Sequence, residues 1–229
     1  MAERIPEVSG SFIVLLGSFN PVIFQPEWFA RQGLMPKEQA EASKIRIIVP
    51  EFSQFETEQI MMQVTQDRFV ASSKPNANPA PLRDLVQGTF FLLEHTPVKA
   101  MGLNRQMHFP LGSEEAWHQV GDKLAPKDPW NDIHEGSAGL QSLWITTARG
   151  SNIGGWREKD HPGARYTVRV EPSTQVKFGV YFETNEHYPA PENEPLVGLL
   201  KILSERWDES QSHASRIANY ILDWAGTTR

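Results

Sequence analysis

Two spacings of apolar residues alternate along the chain. SFIVLLGSF (residues 11–19) is an apolar run of strand length, and KIRIIV (44–49) alternates, with Ile45, Ile47 and Val49 on one face. A turn around PEFSQFETE returns the chain as EQIMMQVTQDRFVAS, where Ile60, Met62 and Val64 repeat the period of two, and together these predict a hairpin. In LRDLVQGTFFLLEHTP the period lengthens: Leu82, Leu85, Val86, Phe90 and Leu93 recur at helical spacing until Pro97 stops them. VKAMGLNRQMHF (98–109) follows as a strand. SEEAWHQVGDKLAP reads as a short helix capped by Ser113, with Glu114 and Glu115 in a first turn that favours negative charge.

Three more strands are expected. LQSLWITTA is the first, RYTVRV puts Tyr166, Val168 and Val170 on one face, and VKFGVYFE does the same with Val176, Phe178, Val180 and Phe182. EPSTQ suits the loop of a hairpin between the last two. GSNIGGWREKDHPGA is long, polar and glycine-rich, the composition of a surface loop.

The last segment is the most regular. Leu196, Leu200, Leu203, Trp207, Ser210, Ala214, Ile217, Ile221 and Trp224 follow a 4-3-4-3 spacing between Pro195 and Gly226, residues that suit a helix start and stop. One helix of about 30 residues, roughly 45 Å long, presents this as a single seam whose distal half meets another subunit. The competing arrangement is two helices hinged near SQS with the seam on the chain's own sheet. In the first arrangement Trp207, Ile217, Ile221 and Trp224 are interface residues.

The corner FNPVIFQPEW ends the first strand between Pro21 and Pro26, which hold the backbone rigid while Val22, Ile23 and Phe24 plug the gap beneath it. A related order recurs later in the chain. Each half reads as strand, short helix with a tryptophan (Trp28, Trp117), antiparallel strands and amphipathic helix, and Asn-x5-Pro recurs from Asn20 to Pro26 and from Asn104 to Pro110. The expected fold is therefore α+β: antiparallel sheet with helices packed on one face, pseudo-duplicated β-α-β-β-α units spanning 1–96 and 97–229 within one compact domain, and a long C-terminal helix.

With 229 residues the chain is long enough to bury a core without staples, and its 39% hydrophobic and 22% charged content is that of a folded globular protein. The net charge of −6 divides evenly, with 8 basic against 11 acidic residues in 1–96 and 14 against 17 in 97–229. Lacking a cationic surplus, the chain is poorly suited to neutralising phosphates, which disfavours nucleic acid. The absence of cysteine removes disulfides, thiolate nucleophiles and cysteine-bound zinc. MAERIPEVSG lacks the basic and apolar regions of a signal peptide, and FIVLL is too short to span a bilayer, so a cytoplasmic protein with no membrane partner is expected.

Candidate chemistry is sparse. Glu114, His118 and Asp122 lie four apart on one helix face, a spacing open to a ligand site or an oriented base, though such faces are commonly solvated surface. Asp132, His134 and Glu135 cluster without the spacing of a metal loop. Near the end of a strand stand Asn104, Arg105, Gln106 and His108; alternation places Asn104, Gln106 and His108 on one face and Arg105 with Met107 and Phe109 on the other. GSNIGGW has the glycines of a phosphate loop but no following helix to supply a dipole. In the group Trp156, Arg157, Lys159, His161 and Arg165, the charges are largely cancelled by Glu158 and Asp160. No G-x-S-x-G, Walker A or dinucleotide fingerprint is present, and neither a metal nor a cofactor is expected.

QVTQDRFVASS, the helix after it and PVKAMGLNRQ resemble the central strand, helix and Gly-Leu-x-x-x-Asn strand of a sporadically distributed, uncharacterised prokaryotic family, over about residues 60–106. SFNPVIFQPEWF, LRDLVQGTF, HTPVKAMGLNR and VEPSTQV extend the likeness to hypothetical bacterial proteins of this size. The resemblance implies a bacterial, intracellular α+β protein and assigns no catalytic residue. The function expected is a non-catalytic binding or assembly protein, a homo-oligomer or an accessory subunit of a bacterial complex. The alternative is an enzyme or small-ligand binder using a polar cleft around Asn104, Arg105, His108 and His118, with Asp122 as a further candidate ligand-binding residue.

Overall fold

A computed structural model describes residues 4–131, 138–147, 152–153, 156–157 and 163–226. Its elements run β1 (Val8–Gly17), a 3-10 turn (Pro21–Ile23), α1 (Pro26–Arg31), α2 (Lys37–Glu41), β2 (Lys44–Val49), β3 (Phe52–Glu56), β4 (Ile60–Thr65), β5 (Arg68–Ser73) and α3 (Ala80–Leu92). Then come β6 (Val98–Pro110), α4 (Glu114–Leu124), α5 (Asp128–Asn131), β7 (Leu143–Thr146), β8 (Asn152–Ile153), β9 (Trp156–Arg157), β10 (Arg165–Pro172), β11 (Gly179–Pro189) and α6 (Pro195–Gly226). Nine strands form one sheet in the order β2-β3-β4-β5-β1-β6-β11-β10-β7, and each neighbouring pair is antiparallel. The α+β class, the antiparallel sheet with helices on one face and the long C-terminal helix are as the sequence predicts.

Helices cover one face because alternation delivers an apolar surface to it. Ile13 and Leu15 of β1, Met62 and Val64 of β4, Phe69 of β5 and Leu103 of β6 point to Leu82, Val86 and Phe90 of α3 and to Leu199, Leu203 and Trp207 of α6 in one buried cluster. A second cluster joins Met107, Phe109, Val168, Val170 and Phe182 to Val120 of α4 and to Ala214, Ala218, Leu222 and Ala225 of α6. The opening corner is the 3-10 turn: Asn20 caps it by accepting from the Val22 N–H at 3.3 Å, and Pro26 is the first residue of α1. Phe24 plugs the gap as expected, its ring 5.3 Å from Phe69 and 6.1 Å from Phe90, while Val22 remains exposed.

The hairpin expected over residues 44–73 is a four-stranded meander. PEFSQFETE contains β3, whose Ser53 and Phe55 are buried, and EQIMMQVTQDRFVAS contains both β4 and β5. Turns of two to three residues join these strands, too short to interrupt the apolar alternation. The Ile45, Ile47, Val49 face is not buried either: β2 is the outermost strand, a bulge breaks its register between Ile45 and Ile47, and all three side chains are exposed. Lys44, Arg46 and the bulge blunt that edge against pairing. β11 starts later than expected and runs to Pro189; Val176 and Phe178 belong to the preceding loop, where Phe178 has a φ of 50°.

α6 is one helix of 32 residues, not two hinged ones. Yet most of its seam, from Leu196 to Ala214, is covered by the chain's own sheet, α3 and α4, as in the competing arrangement. Trp207 is 1% exposed in the core, which removes it as an intermolecular contact. Ile217 and Ile221 pack partly buried against the second cluster, and Trp224 is half exposed with the Lys123 ammonium 5.4 Å from its ring centroid. The seam drifts because 3.6 residues per turn do not match a strict seven-residue repeat; Ala218, Leu222 and Ala225 take the buried line in the last turns.

Candidate functional site

The face of the sheet opposite the helices gathers most of the polar side chains that the strands carry between their core residues, Asn104, His108 and Tyr181 among them being buried. Cross-strand register arranges them in rows. Trp144 of β7, Arg169 of β10, Glu183 of β11 and Gln106 of β6 form one row; Thr167, Asn185, Asn104 and Phe12 form the next; Glu171, Tyr181 and His108 lie on the other side of the first. Among the described residues no helix lies over these rows.

Several of the groups in these rows bond one another. Arg169 donates from Nη2 to Glu183 Oε2 (2.6 Å) and to the Tyr181 hydroxyl (3.1 Å), and its Nε lies 3.7 Å from Glu171. Its guanidinium carbon is 5.0 Å from the Trp144 ring centroid and 5.1 Å from that of Tyr181, within cation-π range of both. Burial opposes the charge on Arg169, but the Tyr181 hydrogen bond and the Glu183 and Glu171 carboxylates outweigh it and hold its pKa above the usual value. Tyr181 donates to Glu183 Oε2 at 2.5 Å, and burial and that bond raise the phenol's pKa. Asn185 donates from Nδ2 to Asn104 Oδ1 (2.5 Å) and Asn104 donates to the Phe12 carbonyl (3.2 Å). Gly102 leaves room for this amide pair: a Cβ there would sit 3.0 Å from Asn185 Nδ2 and 3.2 Å from Asn104 Nδ2.

His108 stacks on Tyr181 with ring centroids 4.7 Å apart, and its Nδ1 lies 2.8 Å from the Ser173 hydroxyl. The pair has the composition of a nucleophile with its base, but its bonding is structural. Ser173 Oγ accepts from the N–H groups of Gln175 (3.1 Å) and Val176 (2.9 Å), so its own proton points to His108 Nδ1. Burial lowers the His108 pKa and keeps the imidazole neutral, as that acceptor role requires.

The residues expected to share a cleft are divided by the sheet. Asn104 and His108 stand on the open face, as alternation requires, whereas Arg105 faces the helices and donates to the Gln211 carbonyl at 3.1 Å. His118 and Asp122 belong to α4, which packs on the helix face. His118 Nε2 is 3.7 Å from Glu114, and Asp122 is ion-paired with Lys127 at 2.8 Å. Both line a separate cleft of about 230 Å³ with Trp117, Gly139, Leu140 and Glu171. Asn20 and Asn104 do not occupy equivalent places, because Asn20 lies beyond the end of β1 and Asn104 in the middle of β6. Asp132, His134, Glu135, Lys159 and His161 lie outside the described residues, while Arg165 begins β10 on the open face. Among the described residues no three His, Asp or Glu side chains are placed to hold a metal ion, and no helix is long and apolar enough to cross a membrane.

Sequence reading overlooks Trp144, Arg169, Tyr181, Glu183 and Asn185. Their signal is present: in RYTVRVEP and VYFETNEHY the residues between the core positions are arginine, glutamate, tyrosine and asparagine. Between α6 and the helix face lies a second polar layer. Tyr188 donates to Glu186 Oε2 (2.5 Å), Arg206 stands 3.9 Å from the same oxygen, Ser11 donates to Gln211 Oε1 (2.5 Å), and the rings of Tyr166 and His213 are 4.9 Å apart. Burial raises the pKa of Glu186 and lowers that of His213. No family model matches this chain, and no curated protein is significantly similar to it.

Proposed function

We propose that this is a non-catalytic binding protein whose open sheet face, in place of the α6 seam, receives a protein partner. One observation carries the reading: the polar groups on that face are bonded to one another and fix Arg169, Tyr181 and Trp144 in place, while Trp144 remains 58% exposed. Tryptophan and arginine are among the side chains on which protein interfaces concentrate their energy, Tyr181 lies buried beside them, and rigid presentation lowers the entropy lost on binding. Beside them β1 and β5 present Phe12, Val14, Leu16 and Val70, an apolar surface suited to the dry centre of an interface. Arg169 is matched by Glu171 and Glu183, so the face lacks the surplus of cations that a nucleic acid would need.

A photo-crosslinking residue placed at Trp144 or Val14 tests this in cells of the source organism, with the exposed Lys201 of α6 as control. Protein adducts from the sheet positions and none from Lys201 are expected. No adduct from the sheet, or equal adducts from both faces, sinks the proposal.

The remaining parts of the reading are of the same standing. A cytoplasmic setting is supported by the lack of a signal-peptide pattern in MAERIPEVSG and a bacterial origin by the resemblance of β4, β5, α3 and β6. Internal duplication is supported by the strand order, since β5 flanks β1 as β11 flanks β6, the last strand of each half beside its first. A small-ligand reading is favoured by the cleft shared by His118, Asp122 and Lys127. A thermal-shift screen of metabolites with His118→Ala as comparison tests it, and no ligand-induced shift removes it.

A further inference from the structure

Every carboxylate at an open position of the described strands already has a cation. Glu183 and Glu171 share Arg169, and Glu56 bonds both Arg46 and Lys74. Arg68, the first residue of β5, and Arg165, the first of β10, are different: both are exposed, and neither is within ion-pair distance of a carboxylate among the described residues. Asp67, which precedes Arg68, instead accepts from the Thr65 hydroxyl at 2.6 Å. The charge left uncommitted in this part of the face is therefore positive.

The two arginines flank one groove. It has a volume of about 410 Å³ and runs from Trp144 past Asn185, Gly102, Val14 and Leu16 to Arg68. Cross-strand register fixes the order of its chemistry. Arg165 stands across from His187, His187 from Gly102 and Gly102 from Val14, while Leu16 stands across from Arg68. Burial and then the charge of Arg165 lower the His187 pKa, which shows that this charge reaches the groove's end. Gly102 contributes no side chain to the middle of the groove, and Leu16 beside it is 40% exposed. Four strand spacings of about 4.8 Å separate β5 from β10, so the arginines stand about 20 Å apart with an apolar stretch between them. A nucleic acid presents a phosphate at every nucleotide and needs a run of cations to match. Two isolated cations about an apolar centre match two carboxylates about aliphatic side chains, the usual division of an interface into dry centre and charged rim.

We infer that the partner lays an acidic, amphipathic segment along this groove, with aliphatic side chains over Val14 and Leu16 and a carboxylate at each end, on Arg68 and on Arg165; this rests on the open face being the binding surface. A photo-crosslinking residue at Val14 or Trp144 of the full chain, expressed in the source organism, captures the segment, and mass spectrometry of the adduct reads its sequence. A synthetic peptide of that sequence is then titrated against the purified protein by fluorescence anisotropy. The segment is expected to carry Asp or Glu on both sides of its aliphatic residues, and its binding to the wild type to weaken as salt is raised. Arg68→Glu and Arg165→Glu are each expected to weaken the peptide by at least about tenfold, Arg68→Lys and Arg165→Lys by much less, and Lys201→Glu on α6 not at all. A segment without acidic residues on both sides, a salt-independent affinity, or an affinity that neither reversal lowers overturns the acidic segment and leaves the binding face standing. No adduct from either sheet position removes the face and the inference together.

Discussion

His108 Nδ1 and Ser173 Oγ meet at 2.8 Å, and the serine hydroxyl spends its proton on the histidine because two backbone N–H groups occupy its acceptor positions. This contact locks the β10-β11 loop to β6. Ser173→Ala strips two N–H groups of their acceptor and is expected to lower stability by about 1 to 2 kcal/mol, read from urea unfolding. In the wild type, ¹⁵N NMR should show His108 as the neutral Nε2–H tautomer at pH 7; a protonated ring there contradicts the assignment.

Trp207 stands under α6 with 1% exposure, so its removal opens a cavity instead of weakening an assembly. Trp207→Ala is expected to destabilise by about 3 to 5 kcal/mol in denaturant unfolding. A folded variant of unchanged stability and altered oligomeric mass would restore the seam as an interface.

Gly17 and Gly102 give a graded pair. A Cβ on Gly17 would lie 2.2 Å from the Pro97 carbonyl oxygen, a backbone atom unable to yield, whereas on Gly102 it would press on two side-chain amides at 3.0 and 3.2 Å. Gly17→Ala should lose more than about 3 kcal/mol and Gly102→Ala about 1 to 2 kcal/mol, with the Asn104 to Asn185 bond broken. Equal losses in thermal unfolding would contradict this ranking.

Acid and base act on opposite sides of the buried polar groups. Burial depresses the pKa values of His108, His187 and His213 below the usual 6.5, with Arg165 adding to the effect at His187 and Arg216 at His213. The unfolded chain therefore takes up protons first, and stability falls as pH drops from about 6.5 towards the folded values. Glu186 is the reverse: burial raises its pKa, so its contribution is fully present below about 4.5 and is lost as pH rises through the folded value. Glu186→Gln should gain on the wild type in urea midpoint as pH is raised from 5 to 8. Parallel pH profiles would show that Glu186 does not titrate between the two states.

Glu56 bonds both Arg46 and Lys74, and those two partners hold its carboxyl at about 2. The stability it adds is present above about 4.5 and fades as pH falls towards 2. Lys74→Met should reduce the acid sensitivity of unfolding in that window, and an unchanged acid limb would assign the sensitivity elsewhere.

Local chemistry and periodicity determined the elements whose signals are self-contained. Ser113 caps α4, Pro26 opens α1, Pro195 and Gly226 bound α6, and Tyr166, Val168 and Val170 share a buried face, all readable from spacing and capping preference because each depends on neighbours within a few residues. Alternation alone likewise separated Arg105 from Asn104 and His108. The rest depended on where each element lies. Ile45, Ile47 and Val49 have the pattern of a buried face, yet β2 lies at the edge of the sheet, and no local rule assigns edge or centre. Trp207 and Ile221 sit on a seam that a second subunit and the chain's own sheet satisfy equally well; only the placement of β6 and α4 chose the sheet. The row from Trp144 through Arg169 to Glu183 comes from strands up to about 40 residues apart. Sequence supplied its polar alternation, but cross-strand register, a long-range property, made it one surface.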